Sequence, residues 1–292
     1  MDVDVVQNPC DCDDCNGDDD EESGIGEQPP TENPSEEGST GDDSSDEGTS
    51  GGGQDDVEAK KLVKVTLKDE EGYIQYIDFS YDAYGRLSNC HDVGYFGSDL
   101  EHEYTYEYLW SEGEVIERYA DGETIAGYAL DNGLISELYK WGQRDVLSYN
   151  SSNQLVGYVE SADGDKIEYN YSWSGDKVTK MTTLQESEGF HFVSALTYLD
   201  RKCSVITPIA GIFLTKQDHA LFWVHPEIIG IKTNYVPSGF ETKFADGTFV
   251  GKGTFEYEFD AEGYITSCKG EEYNAMSERS NECSYEYRFV WE

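Results

Sequence analysis

Rows of aromatic side chains that alternate with polar residues constrain the fold of this chain more than any other feature of its sequence. Such rows occupy residues 104–110, 167–173, 255–259 and 283–291. In the last row, one parity holds Cys283, Tyr285, Tyr287, Phe289 and Trp291, and the other holds Ser284, Glu286 and Arg288. Successive side chains of a β-strand point to opposite faces, whereas a helix repeats every 3.6 residues. The rows therefore predict half-buried β-strands.

The turn residues between these rows predict short hairpins. Asp121-Gly122, Asn132-Gly133, Asp163-Gly164 and Asp246-Gly247 are dipeptides that supply the positive φ of tight hairpin turns. Gly113, Gly133, Asn153 and Gly175 recur about 20 residues apart, which corresponds to two strands and two turns. Because short loops force antiparallel neighbours, we expect an all-β, up-and-down meander that is strongly curved or rolled into an open barrel.

One stretch departs from this pattern. Residues 204–236 are far more apolar than the rest and do not alternate, and Thr207-Pro208 is suited to the start of a short helix. We expect this apolar crossing to be partly helical and to cover an open end of the sheet. A pair of buried strands is the alternative.

The first 58 residues differ from the remainder in composition. They contain 21 Asp or Glu and no Lys or Arg, and are otherwise mostly Gly, Ser, Thr, Pro and Asn. Such a segment buries too little apolar surface to offset its chain entropy, and its like charges repel. We therefore expect a disordered acidic tail over residues 1–58 and one antiparallel β domain over residues 59–292.

Net charge limits the classes of partner. The chain carries a formal charge of −41, which repels phosphate backbones, so a nucleic acid partner is not expected. No run of 18 apolar residues suggests a transmembrane helix, and Met1–Pro9 lacks the basic start and apolar stretch of a signal peptide. The sequence thus begins after processing, lacks part of its start, or belongs to a cytosolic protein.

Cys10, Cys12 and Cys15 lie in the acidic tail. Three sulfurs with adjacent carboxylates make a poor zinc site, and the acids are out of phase with an EF-hand loop. The stretch resembles the start of a mature bacterial lipoprotein, in which Cys10 is acylated, Asp11, Asp13 and Asp14 form an export run, and residues 16–56 form a tether. This resemblance implies a cell-envelope protein, outer-membrane-anchored or surface-exposed, that contacts membrane only through its lipid. A tail without function is the alternative.

Signatures of catalysis are scarce. The histidines are His91, His102, His191, His219 and His225, and none has the spacing of a metal site. Asp218-His219 with His225 is the one cluster, and its place in the apolar crossing favours packing over metal binding. The sequence has no G-x-S-x-G elbow and no Gly-rich phosphate loop. We therefore assign no catalytic, cofactor or metal residue and favour a protein that is not an enzyme.

The repeated phrase Y-x-Y-D-x-x-G-x-[IL], with Phe in place of one Tyr in FSYDAYGRL at 79–87 and in YEFDAEGYI at 257–265, resembles YD or Rhs-type repeats. The order of acidic tether, tyrosine-rich hairpins, apolar crossing and terminal hairpins resembles a family of uncharacterised gut-bacterial lipoproteins with a porin-like fold. The resemblance covers roughly residues 60–292 and implies the fold, with no activity to transfer. The apolar rows are rich in Tyr, whereas a lipid-facing band needs Leu, Val and Phe, so no pore is implied.

Three function classes follow. The first is a surface-tethered, non-catalytic binding or adhesion module for an extracellular glycan or protein, and the excess of Tyr and Trp suits such contacts. The second is a structural envelope protein without a ligand. The third is a glycan-active enzyme that uses carboxylates.

The redox states of Cys90, Cys203, Cys268 and Cys283 are not determined by the sequence, but two of these residues form a candidate pair. Pairing about a turn at 260–263 sets Phe255 near Cys268, and Cys283 begins the final aromatic row. We therefore expect Cys268 and Cys283 to face the core as cross-strand neighbours, either as a disulfide or as a buried thiol pair.

Overall fold

A computed structural model describes residues 59–140, 142–162, 165–185, 187–205, 219–276 and 282–292. Cys10 and Thr207-Pro208 lie outside these residues. The strands are β1 Leu62–Asp69, β2 Tyr73–Tyr81, β3 Leu87–Phe96, β4 Asp99–Trp110, β5 Glu114–Tyr119, β6 Thr124–Asp131, β7 Leu134–Lys140, β8 Gln143–Tyr149, β9 Leu155–Ala162, β10 Asp165–Ser174, β11 Lys177–Gln185, β12 Phe190–Lys202, β13 Tyr235–Phe244, β14 Phe249–Phe259, β15 Ile265–Asn274 and β16 Glu282–Trp291. Among the described residues between β12 and β13 are α1 (Ala220–Val224) and a 3₁₀ turn (Pro226–Ile229).

The strands form one closed antiparallel barrel in sequence order. Every strand pairs with its neighbours along the chain, and β1 pairs with β16, with Val65 opposite Phe289 and Leu67 opposite Tyr287. The up-and-down meander rolled into a barrel is thereby confirmed. The expected open edge is absent from the described barrel, because the β1–β16 seam pairs the backbone groups that two terminal strands would otherwise expose.

The aromatic rows point into the barrel and the charged rows point out. In β16, Tyr285, Tyr287 and Phe289 are buried. Arg288, between them, is exposed. The buried face is the inside of the barrel, because Trp223 of α1 packs there against Tyr287 and Phe289. The apolar core thus fills the inside of the barrel, and the outer surface carries charged and polar side chains together with some exposed apolar ones, such as Leu109, Val146 and Val290.

The described part of the apolar crossing, residues 219–234, enters the barrel. Phe222 in α1 packs on Tyr128 of β6, while Trp223 contacts the rings of β16. Leu221, Ile229 and Ile231 are fully buried. The crossing is therefore partly helical and closes one end, as its composition predicts, and this part of it contains no strand.

The predicted pairing of Cys268 with Cys283 is wrong. The register places Cys268 opposite Tyr287 and Cys283 opposite Glu272, so the cysteines lie four positions apart, roughly 13 Å along the strands. The turn spans five residues, 260–264, and a bulge lies beside it between Glu258 and Phe259; together they put Tyr257, and not Phe255, opposite Cys268. Cys268 is a buried free thiol, and Cys283 takes part in a disulfide, so the two are not bonded to each other.

Candidate binding site

One end of the barrel, here called the plugged end, is closed by the crossing. It contains the turns at 82–86, 111–113, 132–133, 150–154, 175–176 and 260–264, together with the start of β1 and the end of β16. The opposite end contains the other set of hairpin turns, including 70–72 and 97–98. The candidate site lies at the plugged end, because both cavities described below open there.

A repeated turn builds the rim of the plugged end. In three hairpins an Asp or Asn side chain accepts backbone N–H groups two and four residues later: Asp82 from Tyr84 and Arg86, Asn150 from Ser152 and Gln154, and Asp260 from Glu262 and Tyr264, all at 2.8–3.0 Å. The third residue after each acceptor has positive φ, namely Gly85, Asn153 and Gly263. The side chain two positions later is fully buried in each hairpin and anchors the turn to the core: Leu87, Leu155 and Ile265.

Aromatic side chains lock this rim to the barrel wall. Three indole N–H groups donate to backbone carbonyls of a neighbouring strand: Trp110 to Leu87 at 2.7 Å, Trp173 to Leu155 at 2.6 Å, and Trp291 to Ile265 at 2.6 Å. Three tyrosine hydroxyls do the same: Tyr81 to Leu62, Tyr149 to Ile135, and Tyr198 to Val178. Because each ring is tied at its polar atom, the rim presents aromatic surfaces in fixed orientations.

The crossing is seated on the rim by polar contacts. Nε2 of His225 accepts the backbone N–H of Leu87 at 3.1 Å, and Nδ1 lies 2.9 Å from the carboxylate of Glu227. Gly230 adopts φ +73°, and a Cβ there would lie 2.7 Å from the Tyr149 ring and 2.8 Å from the Leu155 nitrogen. The crossing therefore passes the rim at a point where only glycine fits.

The larger cavity lies between the crossing and the rim. It has a volume of about 610 Å³, within the range of small-molecule sites. Aromatic walls come from Tyr81, Trp223 and Trp291. Its charged lining residues are Lys60, Lys61, Lys202, Lys232, Asp176 and Glu227, beside His225. Four lysines thus face two acids, although the whole chain has 20 bases and 61 acids.

These lysines come from three separate parts of the barrel. Lys61 is held at the β1–β16 seam, where its backbone N–H donates to the carbonyl of Glu292 at 2.7 Å and its carbonyl accepts from the same residue. Lys202 ends β12 opposite Tyr235. Lys232 projects from the crossing between the buried residues Ile231 and Thr233. The site therefore exists only when the barrel is closed and the crossing is in place.

A second cavity of about 540 Å³ adjoins the first, with Asp176 and Lys232 lining both. Its walls carry the amides of Asn150 and Gln154 and the ring of Trp173. The amide of Gln154 donates to the carbonyl of Gly175 at 2.8 Å, which joins two rim turns across the cavity. The two cavities together form one groove along the plugged end, with a tied indole in each part.

Carboxylates inside the barrel are paired with tyrosine hydroxyls. Glu117 accepts from Tyr108 at 2.9 Å and also from Tyr128, whose hydroxyl lies 3.0 Å from Nδ1 of His219. The pairs Asp145–Tyr158 at 2.7 Å and Glu272–Tyr285 at 2.6 Å repeat the arrangement. These bonds satisfy the buried acids, since an unpaired buried charge is costly.

The protonation of these acids does not favour acid catalysis. Burial tends to raise the pKa of Glu117, but the nearby His219 ring and the hydrogen bonds from Tyr128 and Tyr108 outweigh it, and the pKa is lowered below the ordinary value. A general acid needs a raised pKa to hold its proton near neutral pH. The pKa values of Asp82, Asp165, Asp246 and Asp260 are lowered as well.

The cysteines and histidines singled out from sequence have structural roles wherever they are described. Burial raises the pKa of Cys268 to about 12, so the thiol stays protonated and packs as a small apolar group. His219 and His225 belong to different contacts, one with Tyr128 and one with the rim. Cys10 and Asp218 lie outside the described residues. The lysine-lined groove was missed by sequence reasoning, because residues 60, 61, 202 and 232 share no spacing or phrase.

Among the residues that the structure describes, neither metal-binding clusters nor membrane-spanning helices are evident. Within the described ranges, no group of three or more His, Cys, Asp or Glu side chains is arranged to hold a metal ion. None of the helices in the part of the chain that the structure describes is long and apolar enough to cross a membrane.

Comparison with known proteins supports the fold. No family model and no curated protein matches this sequence. A porin-like protein from Bacteroides uniformis aligns over 79% of this chain and 98% of its own, with 18% identity and a TM-score of 0.59. A porin-like protein from Bacteroides vulgatus aligns over 80% of this chain and 99% of its own, with 11% identity and a TM-score of 0.54. At these identities the likeness extends to the fold alone: the chain has the barrel architecture of these porin-like Bacteroides proteins.

Proposed function

We propose that this protein is a non-catalytic binding module of the bacterial cell envelope, in which the barrel is a rigid scaffold and the groove at the plugged end binds the ligand. The observation that carries the proposal is the groove itself: two adjoining cavities with tied indole rings, amides and lysines. Binding sites commonly combine aromatic surface with a few fixed polar groups. The porin-like neighbours agree with an envelope location, and the acidic tail would serve as its tether.

A scaffold suits the polarity of the barrel better than a pore does. On β14, Lys252, Thr254, Glu256 and Glu258 face outward and are exposed, while Phe255 between them is buried inside. Barrels that span a bilayer carry an apolar band on the outside and a polar interior. The rows here have the opposite polarity, so we assign the function to the groove and not to a channel.

A ligand screen with a blocking variant tests the binding function. The full chain would be applied to a glycan array and to a pull-down from extracellular matrix and mucus extracts. Ser152 lies exposed in the second cavity, so Ser152→Trp should fill that half of the groove and weaken binding strongly. Ser98→Trp is the matched control, because Ser98 is an exposed turn residue at the opposite end. Binding that Ser152→Trp leaves unchanged would exclude the second cavity as part of the site, and no ligand in either screen would favour a structural envelope role.

Attachment through Cys10 is a separate part of the proposal. With an upstream signal sequence, the chain should be recovered in the membrane fraction and should incorporate labelled fatty acid. Cys10→Ser should release the protein and remove the label, whereas Cys12→Ser, two residues away, should change neither. Label that persists in Cys10→Ser would rule out this attachment site.

A further inference from the structure

The groove combines positive charge with aromatic rings on a strongly acidic protein, and this combination narrows the class of ligand. Among the described residues, Lys61, Lys202 and Lys232 have no carboxylate within ion-pair distance, whereas Lys60 is paired with Asp260 and Glu262. Glu227, one of the two acids in the first cavity, lies 2.9 Å from Nδ1 of His225 and is not within ion-pair distance of any of these lysines. Within the part of the chain that the structure describes, the positive charges of these three lysines therefore have no carboxylate in direct contact.

Two lysines crowd one aromatic ring beside the groove. The Nζ atom of Lys177 lies 3.9 Å from the centroid of Tyr235, and that of Lys202 lies 4.3 Å from the same centroid. The two ammonium groups are thus no further apart than the sum of those distances. Each ammonium group gains from the ring, and an anion near both would reduce the repulsion between them. Lys177 immediately follows Asp176, which lines both cavities.

Local charge outweighs net charge at this site. At physiological salt the Debye length is about 8 Å, so distant acids on the barrel wall are screened while lysines in contact with a ligand are not. An anionic ligand is therefore compatible with a protein of formal charge −41. The groove is also long, since the shared residue Lys232 joins a cavity containing Trp291 to one containing Trp173.

On these observations, and resting on the proposed function, we propose that the groove binds a carboxylated oligosaccharide. The carboxylates would bind Lys61, Lys202 and Lys232, and sugar rings would pack on the indoles of Trp291 and Trp173. Hydroxyl groups would bond to the amides of Asn150 and Gln154. An acidic peptide would bind the lysines equally well, but the indole in each cavity and the nearby amides favour a saccharide.

The test compares matched acidic and neutral ligands. The full chain is titrated calorimetrically with a panel of uronic acid and sialic acid oligosaccharides, each beside its methyl ester, and with poly-glutamate. We expect at least one acid to bind about tenfold or more tightly than its ester, and binding to weaken at high salt. Lys202→Met and Lys232→Met should each weaken it by about three- to tenfold, because each removes one contacting charge.

Lys252→Met is the matched control, since Lys252 is an exposed lysine on the outer face of β14, and it should leave binding unchanged. Equal affinity for acid and ester, or acid binding that both groove variants leave intact, would overturn the anionic assignment while leaving a neutral ligand open to the groove. Poly-glutamate bound as tightly as the best saccharide would overturn the saccharide class. A panel in which nothing binds, together with empty ligand screens, would overturn both proposals.

Discussion

Three rim turns begin with an Asn or Asp at the same position, namely Asp82, Asn150 and Asp260. In each turn this side chain accepts two backbone N–H groups that have no backbone acceptor within the turn. In the turn at 150–154, the side chain of Asn150 accepts two N–H groups at 2.9 and 3.0 Å. The same place is filled by Asp elsewhere, so the turn needs an oxygen acceptor and not a charge.

Asn150→Ala should therefore lower the free energy of unfolding by about 1–2 kcal/mol, since two backbone donors lose their acceptor. Asn150→Asp keeps the oxygen and should stay close to wild type. Urea unfolding followed by tryptophan fluorescence measures both. Equal losses in the two variants would mean that the amide nitrogen, and not the acceptor, stabilises the turn.

The ionisation of Glu117 should make the free energy of unfolding depend on pH in the acid range. Its pKa is lower in the folded chain than its ordinary value of 4.5, so its ionised form stabilises the fold above that pH, and the stabilisation is lost as pH falls through the folded pKa. Glu117→Gln should cost about 2 kcal/mol at pH 7, with the difference from wild type shrinking below pH 4.5.

Stability measured by urea unfolding at several pH values between neutral and strongly acid would show this convergence. Glu256→Gln, an exposed residue on the outer face of β14, is the control and should differ little from wild type at every pH. A gap between Glu117→Gln and wild type that stays constant in acid would contradict the assignment of the lowered pKa to Glu117.

At the scale of elements, the crossing is stabilised by the packing of its side chains against the barrel rather than by regular secondary structure. α1 has five residues and the 3₁₀ turn has four, too few to be stable alone. The crossing is stabilised by buried residues such as Leu221 and Ile231 and by its close approach to the rim at Gly230. Its place in the barrel depends on packing, so a single added methyl group should disturb it.

Gly230→Ala and Gly133→Ala separate packing from backbone strain. Both glycines have positive φ, +73° and +79°, but a Cβ at Gly133 meets nothing within 4 Å, whereas at Gly230 it meets Tyr149 and Leu155. We expect Gly133→Ala to cost about 1 kcal/mol, and Gly230→Ala roughly 2–4 kcal/mol. Equal losses in urea unfolding would show that the crossing is free to move away from the rim.

At the scale of the whole molecule, charge is divided unevenly between the tail and the barrel. Residues 1–58 carry 21 acids without a base, and residues 59–292 carry all 20 bases. The barrel closes through the β1–β16 seam, which begins at Leu62 and needs nothing before Lys61. The fold should therefore be independent of the tail.

Deleting residues 1–56 should leave the melting temperature unchanged within error, because the acidic tail has little apolar surface to bury on the barrel. The measurement belongs in reducing buffer, so that disulfide bonds contribute to neither melting temperature. The full chain under the same conditions is the control. A fall of more than a few degrees would show that the tail packs on the sheet.

The strands, the turns and the meander can be predicted from the local sequence alone. These features depend on neighbours along the chain: alternation selects a strand face, and an Asp or Asn with a following Gly selects a turn. Within each of the rows that end in Trp110, Trp173 and Trp291, the alternation predicts that the aromatic side chains share one face of their strand, and they do. Composition alone also marked the apolar crossing as a separate element that covers an end.

The strand register, the closure of the barrel and the groove depend on the tertiary structure and could not be predicted from local sequence. The register of β15 on β16 places Cys268 opposite Tyr287 and not opposite its expected partner Cys283, and no composition signal fixes that register. Closure of β1 on β16 joins residues more than 200 positions apart. The groove brings together Lys61, Lys202 and Lys232 from a seam, a strand end and a crossing. Their proximity depends on where the barrel closes, which is a property of the whole sheet and not of any local stretch of sequence.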